Sequence, residues 1–335
     1  TIVFDTTVFD PTLTTQITLT NGGIAINDAL TITGVGRDHL SISGGSTSNI
    51  FSTSGFTGDF TLSGVELKDA SSPNVPGGAI SGGHTGALTV RDSAITGSTA
   101  YSGGGIAAVA PVTDVTIENV KFLYCSATSY GGGALYAPNM GNIAITNSTF
   151  QYSTASTKGG AVIANNYGSV SISGTTFDGS YAPNLGGAVS LENGGSVSVD
   201  SSTFINNSTY GRGGALAFIS SSTGQQTAIT GSMFNGNSSN DAGGAIFSYV
   251  DRPDLLVANS TFAYNVGTSS GSAGGTIFVT SGALRVYEST IARNTSNGES
   301  AGIWLYASGG GLANELTISG SIVSGNTAGT SSAQD

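Results

Sequence analysis

Charge is scarce in this chain. Of 335 residues, nine are Lys or Arg and 20 are Asp or Glu, so charged side chains make up 9% of the sequence, against roughly a quarter in ordinary soluble domains. The resulting net charge of −11 repels phosphate backbones and anionic lipid, which excludes nucleic acid as a partner class. A single cysteine, Cys125, excludes an intrachain disulfide. With only two histidines beside it, no zinc set can be assembled, and neither a metal nor a cofactor is expected. No apolar run approaches the about 18 residues of a membrane span. No positively charged leader precedes an apolar stretch at the amino end. Direct membrane insertion is therefore not expected, and the sequence reads as a soluble chain, mature or cut from something longer.

What is abundant is glycine, at 52 residues, and its placement is periodic. Gly-Gly-Ala-Ile at 77 to 80 is the first of nine copies of one signal. Their apolar members are Ile80, Ile106, Leu135, Val162, Val189, Leu216, Ile246, Ile277 and Ile303, separated by 26 to 31 residues. A period of that size means stacked units, none able to bury its own core alone. A second series keeps the same phase: Ile95, Phe122, Phe150, Phe177, Phe204, Phe234, Phe262 and Ile291. Between the two lies a short alternating run, such as Val170 and Ile172 or Val197 and Val199. Alternation over so few residues reads as a strand with one buried face. Three short strands per turn of about 27 residues, with Gly, Asn and Ser at the corners, predict an all-β fold: a single-domain right-handed parallel β-helix of roughly a dozen coils. Residues 1–76 lack the glycine signal but keep the strand rhythm, and are expected to form an N-terminal cap and first coils; residues 77–335 are the regular coils. No cap is recognisable between Ser324 and Asp335.

The corners add chemistry. Three residues after each aromatic station stand Cys125, Ser153, Ser180, Asn207, Asn237, Asn265 and Asn294. Stacked coils would align them into a column that hydrogen-bonds along the axis and satisfies turn amides. Cys125 then reads as a small buried filler, since no Lys, Arg or His stands beside it to activate a thiol.

The Gly-Gly-Ala-Ile signal, with Phe-Ile-Asn-Asn at 204–207, Phe-Asn-Gly-Asn at 234–237 and Phe-Ala-Tyr-Asn at 262–265, resembles the two short motifs of chlamydial polymorphic outer membrane proteins. The opening runs Ile17-Thr18-Leu19-Thr20, Leu30-Thr31-Ile32-Thr33 and Leu40-Ser41-Ile42-Ser43 are similar to the first coils of large bacterial secreted right-handed β-helix repeat proteins. Ile322-Val323-Ser324-Gly325-Asn326-Thr327 is similar to their closing coil. The resemblance implies the same right-handed β-helix, export to the cell surface or medium, and a role in adhesion or surface architecture. It transfers no catalytic residue.

The acids bear on catalysis. Hydrolysis or lysis of a polysaccharide needs convergent carboxylates or a base beside acidic calcium ligands. After the alternating strand only Arg91 and Glu118 are charged neighbours in successive coils, and they read as a surface ion pair. One dense polar spot remains: Tyr249, Asp251, Arg252 and Asp254. It is either an acid pair with an arginine or a solvated loop whose Pro253 blocks strand pairing. His39 and His84 are expected at the surface or in turns.

The residue after each Gly-Gly-Ala-Ile should point outward. In three successive coils that residue is Phe247, Phe278 and Trp304, an expected aromatic stripe, and insertions around 219 to 226 and 306 to 315 crowd the same corner. Either the stripe binds, or the lengthened loops cover it as a satellite core. The candidate ligand-binding set is Phe247, Tyr249, Asp251, Arg252, Phe278 and Trp304, with a glycan or a surface protein as partner. The favoured function is an extracellular, non-enzymatic binding or adhesion module. Alternatives are a structural protein stacking end to end into a filament, sheath or matrix, and a polysaccharide lyase or hydrolase.

Overall fold

Each coil repeats one path. The chain enters a strand that opens at the glycine signal, as in Leu135–Pro138, Val162–Asn165 and Val189–Glu192. It turns into the alternating strand, Asn142–Thr146, Ser169–Ser173 and Ser196–Asp200. It turns again into the aromatic strand, Thr149–Gln151, Thr176–Asp178 and Thr203–Ile205. These make the first, second and third faces of a solenoid. A fourth ladder of two-residue strands, such as Thr154–Ala155 and Tyr181–Ala182, closes the coil; it is too short for alternation to reveal, which is why the sequence predicts three strands per turn. Every strand pairs in parallel with its equivalents one coil away.

The computed structural model describes residues 1–220, 226–250, 254–268, 274–280, 282–306 and 314–329, and among them no helix forms. The third face holds 12 strands and the closing ladder 10, spanning about 11 turns of roughly 28 residues. The first coils join the same ladders: Ile24–Ile26 pairs with the first-face strand Phe51–Thr57, and Leu30–Thr33 with Phe60–Ser63. At the amino end Phe4 and Phe9 meet edge to face at 4.9 Å and pack against the core.

Parallel, in-register stacking places like residues on like. The rings of Phe122, Phe150, Phe177, Phe204, Phe234 and Phe262 form one interior stack with centroids 4.6 to 4.9 Å apart, so each ring fills the space between its neighbours. The two glycines of the signal do different work. Gly213 takes a φ of 71°, which a Cβ would strain. Gly214 needs no unusual φ; a Cβ there would stand 2.1 Å from the carbonyl oxygen of Gly244 in the next coil.

Leu316 and Ile318 register with the fully buried Leu284 and Val286, yet they are 45% and 43% exposed. The segment from 330 to 335, part of the stretch in which no cap was recognised, lies outside the described residues.

Candidate functional site

The expected turn column is interior. Cys125, Ser153, Ser180, Asn207, Asn237, Asn265 and Asn294 are all fully buried. In the Asn segment every amide atom is used. Asn237 donates one Nδ2–H to the Phe204 carbonyl at 2.9 Å and the other to Asn265 Oδ1 at 3.0 Å. Its own Oδ1 accepts the backbone N–H of Asn207 at 3.1 Å and the Asn207 Nδ2–H at 3.0 Å. Asn265 and Asn294 repeat the pattern, and Asn326 continues it one coil further. In the earlier coils the column changes character: the hydroxyls of Ser153 and Ser180 have no hydrogen-bond partner. Burial pushes the Cys125 thiol up from its ordinary 9.0 to about 12, against the smaller effect of nearby backbone hydrogen bonds, which leaves it protonated and inert at neutral pH.

Sequence reasoning missed a second ladder. Two residues before Phe150, Phe177, Phe204, Phe234, Phe262 and Ile291 stand Ser148, Thr175, Ser202, Ser232, Ser260 and Ser289, all buried. Each hydroxyl accepts the backbone N–H of its counterpart one coil earlier, as Ser232 Oγ does from Ser202 at 3.1 Å, and donates to a carbonyl two residues back. The recurring Ser-Thr-Phe triplets at 148–150, 202–204 and 260–262 were the available signal.

The aromatic stripe does point away from the main core, but it is not open to solvent. Phe247 and Phe278 are 2% and 6% exposed and form, with Ala242, a separate apolar cluster against which Leu185, Ile219 and Trp304 pack. The expectation of an exposed stripe is corrected for Phe247 and Phe278, and the reason is local: side chains from preceding coils lean over them. The Arg212 guanidinium lies 5.2 Å above the Phe247 ring, held there by Asp241 at 2.6 Å. Trp304 is half-buried, and its indole N–H is buried with no hydrogen-bond partner. The aromatics of this corner that reach solvent are two residues further on. Tyr249 is 53% exposed and Tyr306 51%; they stack beside Phe247 and Phe278 at 6.3 and 6.4 Å. Both belong to one outward column, with Thr280 between them. Asp251 and Arg252 lie outside the described residues, as do most of the lengthened segments at 219 to 226 and 306 to 315.

The polar spot is divided between faces. Tyr249 lies on the first, whereas Asp254 opens a second-face strand and pairs with Arg285 one coil on. Arg91 and Glu118 stand opposite each other in register, but no ion pair joins them; the ion pairs among the described residues are Lys158–Glu192, Arg212–Asp241 and Arg285–Asp254. His84 is fully buried rather than at the surface, stacked on Phe56 at 5.0 Å and hydrogen-bonded through both ring nitrogens. Hydrogen bonds from Thr230 and then Ser201 hold the Asp200 carboxyl below its usual range. Among the described residues no three His, Cys, Asp or Glu side chains gather into a metal site.

A family model described as the right handed beta helix region matches residues 95–291, more than half of the chain. The chain belongs to the right-handed β-helix family. Searches of curated proteins and of solved structures returned no match. The right-handed β-helix occurs in adhesins and also in lyases and hydrolases, so family membership settles the scaffold and not the activity.

Proposed function

We propose that this β-helix is an extracellular binding or adhesion module that holds a glycan or a surface protein against the outer side of its first face. The observation that carries this reading is the pair Tyr249 and Tyr306. Each is half-exposed, and each is backed by a buried ring, so its orientation is held before a ligand arrives. Phe247 and Phe278 serve as the backing layer, and Asp251 and Arg252 stand close by in sequence. A flat phenol with one wet edge suits the apolar face and hydroxyls of a sugar, and equally a protein anchor. The low charge of the chain favours neutral partners over polyanions.

Trp304 is the chain's one tryptophan, and it registers directly with Phe278. Its emission therefore reports on this surface. Titrating the chain with ligands selected on a glycan array, or with extracted surface proteins, is expected to change Trp304 emission with the midpoint of binding; a bound ligand that leaves the emission unchanged would place the contact elsewhere.

A second reading, end-to-end assembly into a filament or matrix, has its own observation. Leu316 and Ile318, whose equivalents one coil earlier face the core, are 45% and 43% exposed, and an exposed strand edge accepts further strands. Static light scattering checks it: assembly requires a molar mass that rises with concentration.

A further inference from the structure

The corner that follows the third face holds a pair of rings that the candidate set does not include. Leu123 and Gln151 register in neighbouring coils, and the residues next to them, Tyr124 and Tyr152, stack with centroids 5.4 Å apart and planes 16° from parallel. Both rings face solvent, at 58% and 46% exposure. Their backbones are fixed: the Tyr124 N–H donates to the Gln151 carbonyl at 3.1 Å and the Tyr152 N–H to the Asp178 carbonyl at 2.9 Å. Both residues sit at positive φ, 53° and 51°, where a bulky side chain is strained. The coils on either side put Gly97 and Gly179 at the same corner. A Cβ on Gly179 would stand 2.7 Å from the Tyr152 ring, so the ring occupies space that this glycine leaves.

We propose that Tyr124 and Tyr152 form an oxidative cross-linking site, joined into one dityrosine by hydrogen peroxide and a haem peroxidase. Each phenol gives up one electron and one proton, and the unpaired electron of the resulting phenoxyl spreads to the ring carbons ortho to oxygen. Two such carbons, one from each ring, form the new C–C bond; the hydrogen on each then moves to its own oxygen, which restores both phenols. The two electrons and two protons reduce one hydrogen peroxide to two waters. Neighbouring strands lie about 4.8 Å apart, so the two phenoxyls meet at high effective concentration, and exposed rings turn fast enough to bring their ortho edges together. The other tyrosine pairs in ring contact among the described residues, Tyr130 with Tyr136 and Tyr181 with Tyr210, meet edge to face and involve partly buried rings. Tyr264 shares the corner column, but its neighbours there are Gly236 and Arg293. The product is a covalent staple between two successive coils. Tyr249 and Tyr306 stand on the first face, so the site does not rest on the reading above.

The test treats the full 335-residue chain, in dilute solution, with a haem peroxidase and one equivalent of hydrogen peroxide. The expected product is a monomer lighter by two hydrogens in intact-mass spectrometry, with the blue fluorescence of dityrosine and a peptide map that links Tyr124 to Tyr152. Tyr124→Phe and Tyr152→Phe keep the stacked rings and remove one phenol, and each is expected to lose both the mass change and the fluorescence of the monomer; circular dichroism confirms that each is folded. A monomer of unchanged mass, a map that joins other tyrosines, dityrosine confined to dimers and larger species, or monomer cross-linking that persists in either folded variant overturns the proposal.

Discussion

Asn265 shows how one side chain holds three coils together. It donates to Phe234 in the coil before and to Asn294 in the coil after, while accepting from Asn237. Asn265→Ala strands a buried carbonyl and a buried N–H at once, and is expected to cost about 3 kcal/mol in urea denaturation at unchanged slope. The reverse change is informative where the column is unsatisfied. Ser180 has a partnerless hydroxyl next to Asn207, so Ser180→Asn is expected to stabilise by about 1 kcal/mol; a destabilised variant would show that the amide does not fit there. Cys125 has a pH signature. Its neutral form is favoured by the fold, so its contribution is whole below the ordinary 9.0 and is lost as pH climbs toward about 12. Ellman's reagent is expected to leave the native chain unlabelled at neutral pH and to label it fully in denaturant. The identity of this column was legible because a residue type recurs at fixed phase. The Ser-Thr-Phe hydroxyl ladder carried the same kind of signal, but Ser is so common in this chain that its phase did not stand out.

At the scale of strands and corners, the glycine pair is the part that admits least change. Gly214→Ala drives a methyl into the Gly244 carbonyl, a backbone atom that cannot step aside. It is expected to cost more than about 3 kcal/mol or to prevent folding, read as a lowered urea midpoint or loss of soluble chain. The period of this pair made the strands and their order readable. Two things were not readable. The closing ladder has two residues per strand, too few to show a period. The cover over Phe247 and Phe278 is tertiary: alternation correctly turns both rings outward, but nothing in their own strands announces that Leu185 and Arg212, from earlier coils, lie over them. Tyr306 was passed over for a related reason, since it sits in the second outward column rather than the one that follows the signal directly.

The whole molecule is a rod whose interior polar groups are mostly hydrogen-bonded and whose few charges are mostly acidic. Most interior polar groups are taken up by the Asn and hydroxyl ladders, and ion pairs are few among the described residues, so salt is expected to move the melting temperature little. The proposed binding falls to the outer side of the first face, where Tyr249 and Tyr306 stand two coils apart. The measurement that tests this most directly compares the wild-type chain with the Tyr249→Ala and Tyr306→Ala double variant for binding to a glycan array and to intact cells. The account predicts a folded variant whose binding falls by at least about tenfold, the loss expected when two anchor rings are removed. Equal binding by the two proteins would contradict it.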